Sequence, residues 1–473
     1  MSTTTLTSGQ TTPGRGRPVT GPAGKPVLGN TLQFQRDSLG FLMRAAKDYG
    51  DVARYRLGNI AFHQVNHPDG VQRILQDNFH NYIKGDLFDI IRQLAGDGLF
   101  TSEGEPWLRQ RRLMQPTFHR SQIASFGEIM TGRTLDMLGQ WQQRADPRQP
   151  LDVAEELTGL TMAIIAETMF GARLDGDIHA VSQAIGLLLA DISFRFQLPF
   201  YPSLRWPTLR NRRALAAMRV VDDVVLGMIE QRRRSGEQRD DLLGMMMAAR
   251  DEETGKGMSD KQLRDEVVTI FVAGHETTAV LLTWVFYLLA EHPEVEAALH
   301  TELAEALGGR TPGMADVPYL RLTRMVIDET LRLYPPAWIT NRQAVAEDVV
   351  CGYRIPAGAV VAVSPYVLHR LPAYWPDPER FDPQRFAPDA VHQRPRFAYM
   401  PFGGGPHQCI GNSFALMEAT LILATVAQRY RLRLPVGAVV TPQPKATLRP
   451  SGGLPMLLAA RAGLDIVRTS AHD

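Results

Sequence analysis

One cysteine of this chain, Cys409, lies in the segment FGGGPHQCIG (residues 402–411), behind three glycines and two positions after His407. A cysteine nucleophile needs a base within hydrogen-bond reach, and this segment matches no cysteine-protease signature. His407 and Cys409 offer a zinc ion two donors where a structural site needs four. The loop also lacks the Lys and Ser/Thr that follow the glycines of a phosphate-binding loop. An inert buried cysteine is the simplest alternative that remains.

The segment that follows favours a reactive sulfur. Gly411 precedes the apolar sequence NSFALMEATLILATVAQRY, which predicts a helix. A cysteine just ahead of a helix faces free backbone N–H groups and the positive end of the helix dipole, and both favour the thiolate. The glycines also allow the backbone to approach a flat partner closely. A buried thiolate without a second protein ligand suits an iron that is held mainly by a macrocycle.

The loop resembles the cysteine loop of the cytochrome P450 family, Phe-x-x-Gly-x-Arg-x-Cys-x-Gly. It departs from that pattern at His407, where Arg is usual, and it matches at Phe402, Gly405, Cys409 and Gly411. The resemblance implies that Cys409 binds the iron of haem b (iron protoporphyrin IX) and that His407 contacts a haem propionate. It also places three loop residues against the haem: Phe402, Gly403 and Gly411.

A second polar group, AGHETT at residues 273–278, interrupts a long apolar segment. Glycine inside a helix costs about 1 kcal/mol relative to alanine, and a solvated helix face is the alternative interpretation. The group resembles the oxygen-binding helix of the same family. The resemblance implies that the Thr277 hydroxyl bonds to the carbonyl of Ala273, beside the haem, and locally opens the helix. It further implies catalytic roles for Thr277 in oxygen activation and for Glu276 in supplying protons from solvent.

Two other motifs point to the haem propionates through the same resemblance. Trp107 and Arg111 lie four residues apart in WLRQRR, so they share one helix face. An amphipathic surface helix explains that spacing equally well. The resemblance assigns both side chains to propionates, and it assigns Arg342, in ITNRQA, to the other propionate contact.

The motif ETLR places Glu329 and Arg332 on one helix face, where isolated ion pairs contribute little. The resemblance makes this pair two members of a structural triad that fixes the cysteine loop. The segment WPDPERFDPQRF offers Arg380 and Arg385 as the third member. The spacing to Cys409 favours Arg385.

Long helices must position these motifs. Ser259 and Gln262 form a capping-box pattern that predicts a helix start, and the apolar pattern then runs to Pro293. A helix of roughly 33 residues, about 50 Å long, must cross the core of the protein. A second helix is predicted from Pro293 and a third from near Leu320 to Pro335.

Short strand-like segments accompany the helices: DVARYRLG, AFHQVNH, DVVCGYRI and GAVVAVSPYVLH. Cys351, in the third of them, is expected to be a packed strand residue. The pattern predicts a mainly α fold with a minor β part. With the resemblance, we expect a cytochrome P450-like single domain (residues 26–473), with the long central helix crossing over the haem. A flexible leader (residues 1–25), rich in Ser, Thr, Gly and Pro, is expected to precede it.

The amino-acid composition excludes few other classes of protein. The 473 residues are 44% hydrophobic and 21% charged, with a formal net charge of +1, so the overall balance does not favour a nucleic acid or an anionic membrane as partner. Any argument from charge must therefore be local. Two cysteines in different contexts fit a reducing cytoplasm. No uninterrupted run of about 18 apolar residues predicts a membrane-spanning helix.

The resemblance implies a monooxygenase that inserts one oxygen atom of O2 into a C–H bond of an apolar small molecule, either terpenoid, fatty acyl or polyketide-like. Electrons from NAD(P)H are expected through a separate ferredoxin or flavodoxin with its reductase, bound to a monomer. A basic patch with Arg109 and Arg112 is a candidate docking surface, although a solvated face is the alternative. The candidate pocket residues are Phe88, Leu99, Phe196, Ala273, Ala337, Trp338 and Leu454.

Three alternatives remain open from the sequence. The first is a haem-thiolate enzyme that uses peroxide or rearranges an oxygenated lipid, although such relatives often lack the Glu276–Thr277 pair. The second is a non-catalytic haem or ligand-binding protein. The third is a haem-free enzyme with Cys409 as nucleophile.

Overall fold

α-Helices make up most of the chain and pack around one long central helix. The computed structural model describes residues 16–144, 149–171, 177–197, 203–237 and 239–461. Over these residues the α-helices are α1 (Thr31–Arg36), α2 (Ser38–Tyr49), α3 (Pro68–Gln72), α4 (Asp89–Ala95), α5 (Gly104–Met114), α6 (Arg120–Ala124), α7 (Gly127–Gln142), α8 (Val153–Phe170), α9 (Asp177–Gln197), α10 (Leu209–Ser235), α11 (Leu242–Ala248), α12 (Asp260–Glu291), α13 (Pro293–Leu307), α14 (Arg321–Leu333), α15 (Pro365–Leu368), α16 (Pro388–Val391) and α17 (Asn412–Arg429). The strands are β1 (Val52–Leu57), β2 (Ile60–Val65), β3 (Tyr82–Ile83), β4 (Leu151–Asp152), β5 (Thr340–Ala344), β6 (Asp348–Val350), β7 (Tyr353–Ile355), β8 (Val360–Val363), β9 (Tyr430–Arg433), β10 (Pro442–Pro444), β11 (Leu448–Pro450) and β12 (Pro455–Ala460). The prediction of a mainly α fold with a minor β part is confirmed.

The predicted central helix is α12, and its sequence explains both ends. The Ser259 hydroxyl accepts a hydrogen bond from the backbone N–H of Gln262 at 3.2 Å, and Pro293 follows the C-cap residue His292. The side chain of Gln262 does not complete the capping box, because it accepts a hydrogen bond from Arg109 at 3.3 Å. At 32 residues, α12 is about 48 Å long and packs against α8, α10, α14 and α17.

α12 is also the one helix among the described residues that is long and apolar enough to cross a membrane. Its most apolar window is 72% buried inside the protein, as is usual for the core helix of a soluble protein. We therefore interpret α12 as a core helix. The two predicted helices that follow are confirmed, because α13 begins at Pro293 and α14 ends at Leu333, ahead of Pro335.

The largest sheet has five strands in the order β1–β2–β8–β5–β3. β2 and β8 are parallel, whereas the other neighbours are antiparallel. The segments DVARYRLG and AFHQVNH form β1 and β2 as predicted. The segment GAVVAVSPYVLH is strand only to Val363, because Ser364 caps a helical turn at 3.3 Å from the Val367 N–H and Pro365 begins α15.

The prediction for Cys351 is wrong in one respect. Cys351 lies in the turn between β6 and β7, with φ of 51°, rather than within a strand. The turn requires a left-handed residue there, and the side chain is half-buried against the apolar cluster beneath the sheet. Burial raises the pKa of the Cys351 thiol to about 11, so it stays protonated at neutral pH.

Part of the predicted leader is attached to the strands. The backbone of Arg17 forms hydrogen bonds of 2.9 Å with the backbones of Gly352 and Arg354. The Arg54 N–H donates to the Thr20 carbonyl at 2.8 Å. Residues 1–15 of the predicted leader lie outside the described residues. The division at residue 25, and the single domain from residue 26, stay predictions.

Candidate active site

The cysteine loop is held in place by its own backbone. The Cys409 N–H donates to the Phe402 carbonyl at 3.0 Å, and the Gln408 N–H donates to the Gly405 carbonyl at 3.1 Å. Gly405 has φ of 67°, and a Cβ there would lie 1.8 Å from the Leu75 carbonyl oxygen. Only glycine fits that position. Gly403 also has positive φ, but its missing Cβ would meet nothing within 4 Å, so this side of the loop faces open space.

Cys409 is exposed in the structure, although protein atoms surround its thiol closely enough to affect its pKa. Gly411 precedes α17, as predicted from the sequence. Burial raises the pKa of the Cys409 thiol, while the Gly411 N–H and the Arg111 guanidinium act in the opposite direction. The start of α17 thus lowers the pKa of the thiol as expected, but burial raises that pKa by more. A bound metal cation deprotonates a coordinating thiol.

A cationic cluster, which we define as Lys84, Arg111 and Arg342, lies beside the loop and beside His407. Burial, as the larger cause, and these three side chains together lower the pKa of His407 to about 3. His407 is therefore neutral at physiological pH. Its ring lies 3.9 Å from the Trp107 ring, between centroids, and its Nε2 is 3.6 Å from Glu103 Oε1.

Lys84 was not found by sequence reasoning. Its Nζ donates to the carbonyls of Leu99 at 3.1 Å and Ser102 at 2.6 Å, and burial lowers its pKa to about 7. A single lysine in the segment NYIKGD carries no motif, so only the fold reveals its position. The Glu103 carboxylate acts against burial at both Lys84 and Arg342, because its negative charge raises the pKa of each.

The other predicted propionate residues are near the loop. Arg111 Nη1 donates to the Gln408 carbonyl at 2.8 Å, adjacent to Cys409. Arg342 Nη1 donates to the Asn341 carbonyl at 2.8 Å, and burial lowers its pKa. Trp107 is buried, with 7% of its surface exposed.

The hydroxyl of Thr277 forms the predicted bond. Its Oγ1 donates to the Ala273 carbonyl at 2.7 Å. The predicted opening of the helix is absent, because α12 continues without interruption from Asp260 to Glu291. Ala273 is exposed and Thr277 is half-exposed in the middle of this otherwise buried helix. Both residues border a partly open cavity of 1780 Å³.

Glu276 lies in the wall of the same cavity, and its side chain is largely buried. Its Oε1 accepts a hydrogen bond from Thr447 Oγ1 at 2.7 Å and forms an ion pair with Arg449. The exposed fraction is 10% for the Glu276 side chain and 37% for that of Arg449. Sequence reasoning missed Arg449, because no spacing relates it to α12.

Arg449 and Thr447 belong to the hairpin formed by β10 and β11. This hairpin forms hydrogen bonds with several other parts of the cavity wall. The Ala446 N–H donates to Ser193 Oγ of α9 at 3.1 Å. The Trp338 indole N–H donates to the Lys445 carbonyl at 2.9 Å, and that of Trp284 in α12 donates to the Leu448 carbonyl at 2.8 Å. The hairpin therefore connects α9, α12 and the segment that leads into β5.

Four of the predicted pocket residues line the cavity: Phe88, Ala273, Ala337 and Trp338. Leu99 and Leu454 are packed in the core instead, so these two predictions are wrong. The main chain of Leu99 is held by Glu266 and Lys84, and the Leu454 N–H donates to Asp152 at 2.9 Å. The side chain of Phe196 lies outside the described residues.

The structural triad forms with Arg385, as the spacing suggested. Arg332 donates to both carboxylate oxygens of Glu329, at 2.7 and 2.8 Å, and both side chains are fully buried. Arg385 Nε lies 3.5 Å from Glu329 Oε1, whereas Arg380 contributes its carbonyl to Arg332 at 3.1 Å. His369 lies beside this triad: its Nε2 accepts a hydrogen bond from the Met400 N–H at 2.9 Å, and its Nδ1 lies 3.3 Å from the Arg332 carbonyl oxygen.

Arg109 and Arg112 do not form a free basic patch. Arg112 binds Glu253 at 2.6 Å and Asp251 at 3.2 Å. Arg109 donates to the carbonyls of Lys256 and Gly257, at 3.3 and 3.0 Å. The loop before α12 thus engages both guanidinium groups.

Together these features fit haem. The exposed Cys409 provides an iron ligand, and the open side of Gly403 leaves room for a flat macrocycle. Three buried or half-buried cations with one nearby carboxylate favour an anionic group such as a propionate. A sequence model of the family described as Cytochrome P450 matches residues 19–456.

The chain belongs to the cytochrome P450 family.

Curated relatives of this P450 include two enzymes that are named as oxygenases. It is 41% identical over 443 residues to cyclooctat-9-en-7-ol 5-monooxygenase of Streptomyces melanosporofaciens, covering 93% of this chain and 95% of the relative. It is 35% identical over 444 residues to pentalenene oxygenase of Streptomyces avermitilis, covering 93% and 97%. The crystal structure of the cytochrome P450DA heme domain superposes with a TM-score of 0.86 at 28% identity, covering 94% of this chain and 98% of that one.

Family membership establishes the general activity. The protein is a haem-thiolate monooxygenase that acts with O2 on an apolar substrate and receives electrons from a separate redox partner. The apolar cavity beside α12 provides the space for such a reaction. Ala273 and Thr277, which are joined by a hydrogen bond, border this cavity.

Proposed function

We propose that this P450 hydroxylates a terpenoid. The observation that carries the proposal is the cavity of 1780 Å³, whose wall combines mostly apolar side chains with Thr277 and Glu276. Relatives at 35–41% identity that are named for a cyclooctatenol and for pentalenene support a terpenoid over a fatty acyl or polyketide-like substrate.

Cys409 is the proposed iron ligand, through Sγ. The cationic cluster and the Trp107 indole would hold the propionates, with neutral His407 donating one N–H. Gly403 and Ala273 would also contact the haem. When bound, haem supplies the oxygen chemistry, to which the thiolate contributes electron density.

Thr277 and Glu276 are the proposed catalytic residues. Thr277 Oγ1 donates its proton to the Ala273 carbonyl, so its oxygen can accept a hydrogen bond from a group in the cavity. Glu276 sits one residue earlier and is held by Thr447 and Arg449. Because the Arg449 side chain is partly exposed, this ion pair connects the cavity wall with solvent. We assign proton transfer from solvent to this carboxylate.

The proposed electron donor is a ferredoxin or flavodoxin with a reductase that uses NAD(P)H, and the proposed state is a cytoplasmic monomer. Since Arg109 and Arg112 are engaged by the loop before α12, they contribute less to partner docking than the sequence suggested. The proposal therefore does not depend on them.

Reconstitution tests the function. Purified holoenzyme, reduced and treated with carbon monoxide, should show the long-wavelength Soret band of a thiolate-ligated haem, and Cys409→Ala should lose it. Terpene hydrocarbons and terpene alcohols should give substrate difference spectra. With a ferredoxin and its reductase, a bound terpene should gain one oxygen atom. A normal haem spectrum with turnover of fatty acids alone would reject the terpenoid assignment.

A further inference from the structure

Two side chains of α12 each bury an oxygen atom that has no hydrogen-bond partner. Glu266 is fully buried, and its Oε1 forms no hydrogen bond within the part of the chain that the structure describes. The same is true of Thr269 Oγ1, which is also shielded from solvent. Because buried polar atoms almost always have a partner, two such atoms close together point to a polar group that binds between them.

The hydroxyl of Thr269 differs from two others in the same helix. Thr277 and Thr283 donate to the carbonyls four residues earlier, those of Ala273 and Ala279, each at 2.7 Å. Thr269 forms no such bond among the described residues, and its side chain borders the cavity. Since a threonine in a helix adopts either of two χ1 rotamers, one rotation turns this hydroxyl toward the cavity.

Both unpartnered atoms belong to side chains that pack against the segment linking α4 and α5. The Leu99 N–H donates to the other carboxyl oxygen of Glu266, Oε2, at 2.8 Å. A Cβ on the preceding residue, Gly98, would clash with Thr269 Oγ1. Glu266 and Thr269 are three residues apart, so they also share one side of α12. We define these two side chains as the polar pair.

The polar pair is uncharged at neutral pH. Burial is the largest cause that raises the pKa of Glu266 to about 8, and the Asp265 carboxylate also raises it, against the Leu99 N–H and the charge of Lys84. A protonated carboxyl has an O–H to donate, and a threonine hydroxyl both donates and accepts. The polar pair therefore suits an uncharged oxygen, as in a hydroxyl or carbonyl group, better than an ion.

We propose that the polar pair binds a hydroxyl or carbonyl oxygen of the substrate, so that the preferred substrate is an oxygenated terpenoid rather than a terpene hydrocarbon. This inference rests on the terpenoid function proposed above. Ala273 and Thr277 follow Thr269 by four and eight residues on the same side of α12, or about 6 and 12 Å along the helix. The oxidised carbon is therefore expected several bonds away from the bound oxygen rather than next to it.

Substrate difference spectra of the holoenzyme test this inference with two matched pairs of compounds, α-cedrene with cedrol and abietadiene with abietadienol. Thr269→Val removes the hydroxyl and keeps the shape of the side chain. We expect it to weaken the binding of at least one alcohol about tenfold, the effect of losing one hydrogen bond, and to change the binding of its hydrocarbon by less than about twofold. Thr269→Ser retains the hydroxyl and should restore the binding of the alcohol.

The matched control is Thr283→Val, which removes the same hydroxyl elsewhere in α12. Thr283 is buried outside the cavity wall, where its hydroxyl donates to Ala279. This variant should bind alcohol and hydrocarbon as the unmodified protein does, and the haem spectrum reports the folding of each variant. Glu266→Gln keeps an uncharged donor and should keep the preference for the alcohol. Loss of the preference in that variant would overturn the assignment of Glu266 as an uncharged donor.

The remaining outcomes separate this inference from the proposed function. Equal weakening of an alcohol and its hydrocarbon by Thr269→Val would show that the polar pair holds only an ordered water, and it would overturn the inference. Terpene binding that Thr269→Val leaves unchanged for both alcohols would overturn the inference and leave the terpenoid assignment standing. Binding of neither pair of compounds to the unmodified protein would count against both.

Discussion

The two sides of the proposed haem site are built in different ways. On the cysteine side, backbone hydrogen bonds, a glycine in contact with the Leu75 carbonyl and a fully buried ion pair fix the loop. On the side of α12, Glu276 is held by side chains alone, and one of them, Arg449, is partly exposed. The difference indicates a rigid support around Cys409 and a more adjustable position for Glu276, the residue proposed for proton transfer.

The largest effect is expected on the rigid side. Glu329→Ala removes the shared partner of Arg332 and Arg385 and leaves buried guanidinium charge uncompensated. We expect the free energy of unfolding to fall by about 3–5 kcal/mol, together with weaker haem retention. Chemical denaturation measures the change. Arg354→Gln, which breaks an exposed ion pair with Glu347, should cost less than about 1 kcal/mol. Similar losses in both variants would contradict the comparison.

On the adjustable side, the strongest effect is expected at Thr277. Thr277→Ala removes the hydroxyl that bonds to the Ala273 carbonyl, without creating a buried charge. Product formation should fall on the order of 10²-fold, while consumption of NAD(P)H continues. The stability and the haem spectrum should change little. Thr277→Ser keeps the hydroxyl and should restore most of the product yield, and a variant that lost haem instead would assign Thr277 a structural role.

Lowering the pH should reduce the stability of the rigid cysteine side of the haem site, because of His369. Burial lowers the pKa of His369 to about 3, below the usual value of 6.5, and its Nε2 accepts the Met400 N–H. Between these two pKa values the unfolded chain binds a proton that the folded protein does not. The contribution of His369 to stability should therefore be constant above pH 6.5 and fall by about 1.4 kcal/mol per pH unit as the pH decreases below it.

Denaturation curves at pH 7.5 and pH 5.5 measure this slope. His369→Asn should remove the part of the slope that corresponds to the uptake of about one proton on unfolding. The variant should also be less stable than the unmodified protein at pH 7.5. The other histidines whose pKa values burial lowers retain the remaining dependence: His63 and His300, to about 4, His407, to about 3, and His275. An unchanged slope in the His369 variant would contradict the assignment.

The smallest effect is expected from Arg449→Gln. It removes the charge that holds Glu276 but leaves Thr447 as a partner. Because the ion pair is partly exposed, it is expected to contribute at most about 1 kcal/mol, or a change of up to fivefold. We expect that change in the yield of product per NAD(P)H, with no change in the substrate difference spectrum. A larger loss of substrate binding would place Arg449 in substrate recognition instead.

Local sequence signals predicted the parts of this protein that depend on neighbours in the chain. Ser259 and Pro293 defined both ends of α12, and the glycine pattern around Cys409 predicted the loop. Lys84 and Arg449 could not be found in this way, because their partners come from distant segments and only packing brings them together. The prediction for Leu99 failed for a related reason: its main-chain bonds to Glu266 and Lys84 hold the residue in the core.

The hairpin of β10 and β11 offers a compact means of redesign. It contacts α9 through Ala446, the wall around Trp338 through Lys445, and α12 through Leu448 and Arg449. Grafting this short stretch from a relative with another selectivity would change cavity shape and acid environment together. Directed evolution of the enzyme toward new compounds therefore has a natural starting cassette, one that leaves the sulfur-bearing loop untouched.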